Sequence, residues 1–299
     1  MRRRICYKVL NMEYIYKIAN TILRFVTNYE LEEDGETSIF RIEQAEGRTV
    51  RTCYVEFVEC LPEITGKLLV KNREKELYLQ ANEIWLQMEN LSERVPTFIA
   101  RYSLDGTGDI HLWALKKYYP YSARMAHIWS AIDLPYQLLQ NSVLTLHSSV
   151  VEMNGAAIAF FAPSGTGKTT QAGLWCKNRS ARQLNGDKTA IVCEGDSMDT
   201  FGLPFCGTSG ICENYNLPLK SLVFLSQAKE NTIRLVTGIE AWRLLLGNCF
   251  GYQMIPGCMT RMLELAEKIL KKVPMYALAC TPDERAVEVL EEAMKKEGR

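Results

Sequence analysis

The stretch AAIAFFAPSGTGKTT, residues 156–170, decides how this chain is read. Its first six residues, Ala156 to Phe161, form an apolar run of the length of a buried strand. A turn of small residues follows, Ala162 to Gly167. From Lys168 onward Ala172, Leu174 and Trp175 fall at helical spacing. Strand, glycine turn, Lys-Thr and helix together are the setting in which the pattern G-x-x-x-x-G-K-[ST] has physical meaning. Glycines let the backbone turn tightly, so that its N–H groups converge, and the helix N-terminus adds partial positive charge. The pattern predicts a phosphate cradle over Ser164, Gly165, Thr166, Gly167, Lys168, Thr169 and Thr170. Lys168 supplies a full charge for the β- and γ-phosphates, and the Thr169 hydroxyl is a ligand for Mg²⁺. The first position of the pattern asks for glycine and holds Ala162, which is tolerated if its φ is negative.

Outward from this core, Val143 to Met153 (VLTLHSSVVEM) alternates and is rich in β-branched residues, so it predicts a strand. Asn154-Gly155 then signals a tight hairpin. An antiparallel strand carrying His147 therefore precedes the loop strand, which is not how ordinary P-loop NTPases begin. Downstream, Leu184-Asn185-Gly186-Asp187-Lys188 leads into an apolar strand at Thr189–Cys193. Asp187, about 20 residues past Lys168, is an acid beside a strand and placed to meet the metal. Gly202 to Asn216 has the composition of an active-site loop and contains Glu213. A strand at Ser221–Leu225, helices at Glu240–Phe250 and Thr260–Lys271, a strand at Val273–Ala279 and a final helix at Asp283–Lys296 complete the reading as α/β scaffolding.

The 299 residues suffice for one large or two medium domains. Lys+Arg and Asp+Glu balance at 35 each, so no global charge points to nucleic acid or a membrane surface. No apolar run approaches the ~20 residues of a spanning helix. The start MRRRICYKVLNMEYIYKIAN is basic, with no sustained apolar segment or small-residue cleavage site, and does not read as a signal peptide. None of the 10 cysteines forms a C-x-x-C pair, and most sit in apolar runs. They read as reduced, buried thiols of a cytoplasmic protein.

Residues 1–118 alternate short β-prone runs (Tyr14–Tyr16, Ile22–Leu23, Cys53–Val58, Leu77–Leu79) with polar turns. They predict a small, mostly antiparallel β region, a candidate docking module. His111 there reads as a surface or half-buried residue. Residues 119–140 predict a helical connector broken or kinked at Pro135, with His127 structural. Residues 141–299 form the nucleotide domain.

His147 and Lys168, with twenty residues between them, together with Gly155 and Ser164-Gly165-Thr166-Gly167, resemble the catalytic domain of HPr kinase/phosphorylase. The SGTGKTT wording is also similar to ATP-dependent phosphoenolpyruvate carboxykinase, which shares that nucleotide fold. The resemblance spans roughly residues 140–295 and is specific from His147 to Thr170. It implies a carboxykinase-like α/β P-loop domain behind a small β-rich N-terminal region. ATP would lie on Ser164–Thr170, Mg²⁺ on Thr169 and Asp187 with Glu213 as second metal acid, and His147 near the transferred phosphoryl group. Relatives of the fold assemble into hexamers, so a homo-oligomer is an expectation too. The chain departs from the family in two places. Gly186-Asp187 stands where the kinase has two aspartates, and Tyr215 stands in the family's arginine-bearing signature, so reversible phosphorolysis is not carried over.

The expectation is an ATP/Mg²⁺-dependent phosphotransferase, foremost a serine kinase acting on a protein or modified peptide, with Asp187 or His147 as the base. A catalytically degenerate nucleotide-binding regulator and a kinase of a small hydroxylated metabolite stand as alternatives. A carboxykinase is disfavoured by length and by the lack of a His/Lys/Asp metal cluster. No nucleic acid or membrane partner is expected.

Overall fold

The computed structural model describes residues 12–45, 50–90 and 92–297; the basic start and Cys6 lie outside them. It is a mixed α/β chain with two large sheets. Two compact units divide it, one holding the described residues up to Lys17 with Thr21–Leu134, the other Ile18–Asn20 with Pro135 onward.

The first unit holds β1 (Met12–Ile18), β2 (Thr21–Thr27), a single turn α1 (Gly35–Ser38), β3 (Val50–Val58), β4 (Lys67–Lys71), β5 (Lys75–Gln80), β6 (Glu83–Asn90), β7 (Val95–Ser103), β8 (Ile110–Leu115) and α2 (Met125–Ala131). The strands form one sheet in the order β1-β2-β3-β8-β7-β6-β5-β4. From β8 to β4 the pairing is antiparallel, but β2–β3 and β3–β8 are parallel. The expected antiparallel region is thus a larger, mixed sheet. Tight turns join the hairpins, whereas β2 to β3 and β3 to β8 take the long connections that parallel neighbours require. Tyr16 and Phe25 meet Trp129 of α2 edge to face, each with ring centroids 5.0 Å apart, and this fixes α2 on the sheet.

The expected connector is not one helix. A 3₁₀ turn at Tyr121–Ala123 precedes α2, and α3 (Leu134–Gln140) begins anew after Asp133, whose φ is +54°. The break falls before Pro135, which occupies the first turn of α3, where its missing N–H leaves no bond unmade. The division between the units at Leu134 cuts through this stretch.

The second unit adds β9 (Val143–Met153), β10 (Ala156–Phe161), α4 (Lys168–Arg179), β11 (Arg182–Asn185), β12 (Lys188–Glu194), β13 (Ser197–Gly202), β14 (Asn216–Gln227), β15 (Thr232–Leu235), α5 (Gly238–Leu246), α6 (Cys258–Lys272), β16 (Met275–Cys280) and α7 (Glu284–Glu297). The sheet order is β10-β9-β12-β13-β14-β16-β15, with β11 on β9 and a further parallel pairing of β10 with β14. Asn154 and Gly155 both take positive φ (54° and 75°), as a two-residue primed hairpin turn demands. Phe160, Ile158 and Val151 from the sheet pack with Trp175 of α4 and Leu290 of α7 in one buried cluster. Each such side chain contributes about 1.5–3 kcal/mol by burial, and together they hold the start of α4 over the end of β10.

Candidate active site

Strand β9 is paired along both edges: β12 and then β11 follow one edge, at Val143–His147 and Val150–Glu152, and β10 covers Ser148–Met153 on the other. The chain leaves β10 at Phe161, opposite Ser148, so the glycine turn starts at the carboxyl end of β10. The carboxyl ends of strands are where α/β sheets place ligands. Gly165 and Gly167 have φ of +78° and +117°, and a Cβ at either would meet nothing within 4 Å. Backbone conformation rather than packing therefore calls for glycine, and the space beside the turn is open. Ala162 is not among the positive-φ residues, so its methyl group is tolerated. It is buried, and its carbonyl accepts a hydrogen bond from Lys168 Nζ at 3.0 Å. Lys168 is only 8% exposed. Burial holds its pKa below the ordinary lysine value, with the Asp187 charge pulling the other way. Ser164, Gly165, Thr169 and Thr170 are exposed, and Thr166 and Gly167 are half-buried.

From the other side, Lys188 is the direct cross-strand partner of His147, so the two share a face of the sheet. Asp187 is pinned just before it. Its carbonyl accepts from Ser148 N at 2.9 Å, and its N–H donates to Asn185 Oδ1 at 2.8 Å. The Asp187 carboxylate lies 3.5 Å from His147 Nε2 and 3.2 Å from Lys188 Nζ. Burial, then the Lys168 charge, push the His147 pKa below its ordinary value, and Asp187 opposes them. Asp187 acts electrostatically on both Lys168 and His147, so the structure brings His147, Lys168 and Asp187 into one field.

The departure at Gly186 has a steric cause. A Cβ there would stand 2.7 Å from Ser209 Cβ and closer still to Ser209 Oγ. Ser209 is held by its own bond to Cys206 O at 2.8 Å. The loop after β13 thus fills the volume that a second acid would need. Its Gly207, at φ +60°, lies so close to Asp187 that a Cβ would come within 2.8 Å of Asp187 Cβ.

Two expectations need correction. Cys206 and Cys212 form a disulfide at a Cα–Cα distance of 4.8 Å, so the thiols are not all reduced. The pair closes this same loop, which no C-x-x-C spacing announces. The Glu213 carboxylate is engaged by Arg182, which also lies 3.6 Å from Glu152. Tyr215 is buried, with its hydroxyl 2.8 Å from Thr189 Oγ1.

Sequence reasoning missed Lys188, Phe205 and Phe250. The Lys188 ammonium lies 4.1 Å and 5.0 Å from the two ring centroids. The only available signal was the adjacency of Lys188 to Asp187. His111 and His127 lie elsewhere as packing residues, His111 stacked on Tyr54 and His127 against Tyr121.

A nucleotide and Mg²⁺ fit the donors present. The Asp187 carboxylate and Thr169 hydroxyl are hard oxygen ligands of the kind Mg²⁺ takes, and the glycine turn has open space beside Gly165 and Gly167. No described helix is long and apolar enough to cross a membrane. No protein-family profile and no curated protein matches the chain. Among solved structures the chain is similar to the Hpr(Ser) kinase/phosphatase from Coxiella burnetii, at 10% identity and a TM-score of 0.31, over 52% of this chain and 99% of that one. That likeness is distant.

Proposed function

We propose that this chain is an ATP- and Mg²⁺-dependent phosphotransferase whose acceptor is a serine hydroxyl on a protein or modified peptide. One observation carries the reading: Lys168, at the end of an open glycine turn, shares one field with Asp187, whose carboxylate lies 3.5 Å from His147. The glycine turn and Lys168 hold the phosphates. Mg²⁺, when bound to Asp187 and Thr169, neutralises charge on the phosphates. The acceptor oxygen bonds to the γ-phosphorus while the bond to the β,γ-bridging oxygen breaks, and that electron pair leaves with ADP. The hydroxyl proton passes to the imidazole of His147, which leaves Asp187 free for the metal. With Glu213 engaged by Arg182, Asp187 is the one acid assigned to it.

A second reading, a nucleotide-binding regulator without turnover, is favoured by Gly186, because Ser209 occupies the place of the missing acid. The deciding experiment measures nucleotide binding and labelled-phosphate transfer with Mg²⁺ for wild type, Lys168→Ala and Asp187→Asn. Binding with transfer to a peptide, lost in both variants, supports the kinase. Binding without transfer to any acceptor supports the regulator. Absence of binding in the wild type rejects both.

A further inference from the structure

We propose that Lys188 is a second phosphate-binding cation of this site, which grips the terminal phosphoryl group while Lys168 serves the phosphates nearer the glycine turn. The proposal rests on the phosphotransferase reading above and adds the residue that distinguishes a nucleoside triphosphate from a diphosphate.

The argument begins with charge. Lys168 and Lys188 are both largely withdrawn from water, with 8% of the Lys168 residue and 19% of the Lys188 side chain exposed. Both depend on the same carboxylate. Asp187 is the acid beside Lys188 at 3.2 Å and the acid acting on Lys168. Two half-desolvated ammonium groups against one carboxylate leave an uncompensated positive charge, which low-dielectric surroundings make costly. An anion entering the site would relieve it. A plain structural ion pair would need only one of the two lysines.

Placement gives the order along the anion. The β9–β12 register sets Lys188 directly opposite His147, one residue from the end of β10 at Ser148. Lys168 instead starts α4 with its ammonium turned back to Ala162 O, at the root of the turn. Lys188 therefore shares the strand face of His147, where the acceptor hydroxyl loses its proton, and the Lys168 charge reaches the same imidazole from the root of the turn. The Phe205 and Phe250 rings, at 4.1 and 5.0 Å, steer the ammonium by its cation–π attraction without supplying a hydrogen-bond acceptor. The donors that Asp187 does not engage remain available for phosphate oxygens.

The test is calorimetric titration of the full chain with MgATP and with MgADP, for wild type, Lys188→Met and Lys188→Arg. Lys188→Met is expected to weaken MgATP about 10- to 100-fold, the worth of a charge-assisted contact, while MgADP stays within about twofold. Lys188→Arg should retain most of the preference for MgATP. Equal weakening of both nucleotides would make Lys188 a structural residue and overturn the proposal. Unchanged binding of both would overturn it too, while leaving the phosphotransferase reading intact. A wild type that binds neither nucleotide would reject that reading and this proposal with it. If the methionine variant does not fold, Lys188→Gln, of similar length with a polar tip, is read by the same criteria.

Discussion

Each unit of this chain places a cation over two aromatic rings and beside one acid, yet only one of these places is a candidate for chemistry. In the first unit Arg101 lies 5.9 Å from the centroids of both Trp85 and Trp113 and 3.8 Å from Glu83. In the second, Lys188 lies over Phe205 and Phe250 beside Asp187. Arg101 sits on a regular sheet face among the stacked rings of Tyr54, His111 and Trp113, with water to screen it. Lys188 sits opposite His147 and beside Asp187, whose charge also acts on the buried Lys168 at the end of the open glycine turn. The contrast teaches that pairwise contacts do not identify a site. Unbalanced charge converging on open backbone does.

The largest effect that can break this comparison is expected at the buried Lys168, set against the half-buried Lys75. Lys168→Ala should reduce nucleotide turnover by about 10²–10³-fold, equivalent to about 2.7–4 kcal/mol. Its thermal midpoint should hold or rise, because a desolvated ammonium is removed. Lys75, in the first unit, donates to Ser130 O at 2.7 Å and lies near Asp133. Lys75→Ala should do the opposite, lowering stability by about 1–2 kcal/mol with turnover unchanged. Thermal melts and labelled-ATP assays on both variants check this. Destabilisation by Lys168→Ala with nucleotide binding intact would erase the distinction between the units.

Next in size is Gly186→Asp, which restores the acid of the resembled family. The Ser209 contact predicts a loss of about 3 kcal/mol rather than a gain of activity. Ser209→Gly should relieve much of it, so a double-mutant cycle in urea should show coupling of about 1 kcal/mol or more. Strict additivity would mean that the loop does not enforce Gly186.

Legibility in the sequence follows the same division between local and distant causes. The strand at Ala156–Phe161, the Asn154-Gly155 hairpin and the helix from Lys168 are written in contiguous residues, and the structure has all three. The parallel pairs β2–β3 and β3–β8 are not, because nothing in Cys53–Val58 names a partner more than fifty residues away. The short strands β11 and β13 escape notice for lack of an alternating apolar pattern; Ser197–Gly202 becomes a strand through its pairing with β12 and β14. Lys188 gains its meaning from register with His147, and Glu213 loses its expected one through Arg182. Neither partner is a sequence neighbour.

Two tyrosines sharpen the comparison at about 2 kcal/mol. Burial pushes the Tyr215 hydroxyl up to about 12, against the help of its threonine neighbours, and a hydrogen bond to Glu76 pushes the half-exposed Tyr78 to about 12. A folded pKa above the unfolded value near 10 contributes stability that is fully present below pH 10 and is lost as pH rises through 12. Urea midpoints from pH 9 to 12 should therefore fall, and less so in Tyr215→Phe. Salt should blunt the part of the Tyr78 contribution that comes from the Glu76 charge and leave that of Tyr215, which rests on burial. Equal salt sensitivity of Tyr78→Phe and Tyr215→Phe would count against burial as the cause at Tyr215.

The smallest effect is expected at Arg101, and it matters because it is small. A partly exposed guanidinium over two indoles, with one solvent-exposed acid, is worth under about 1 kcal/mol. Arg101→Ala should shift the urea midpoint by no more than that and leave MgATP and MgADP affinities equal to wild type. Lys188→Met, with the same kinds of neighbours, should alter MgATP affinity selectively. If Arg101→Ala also changed nucleotide binding, the face of the first sheet would belong to the site, and charge imbalance in the second unit would no longer be what locates the chemistry.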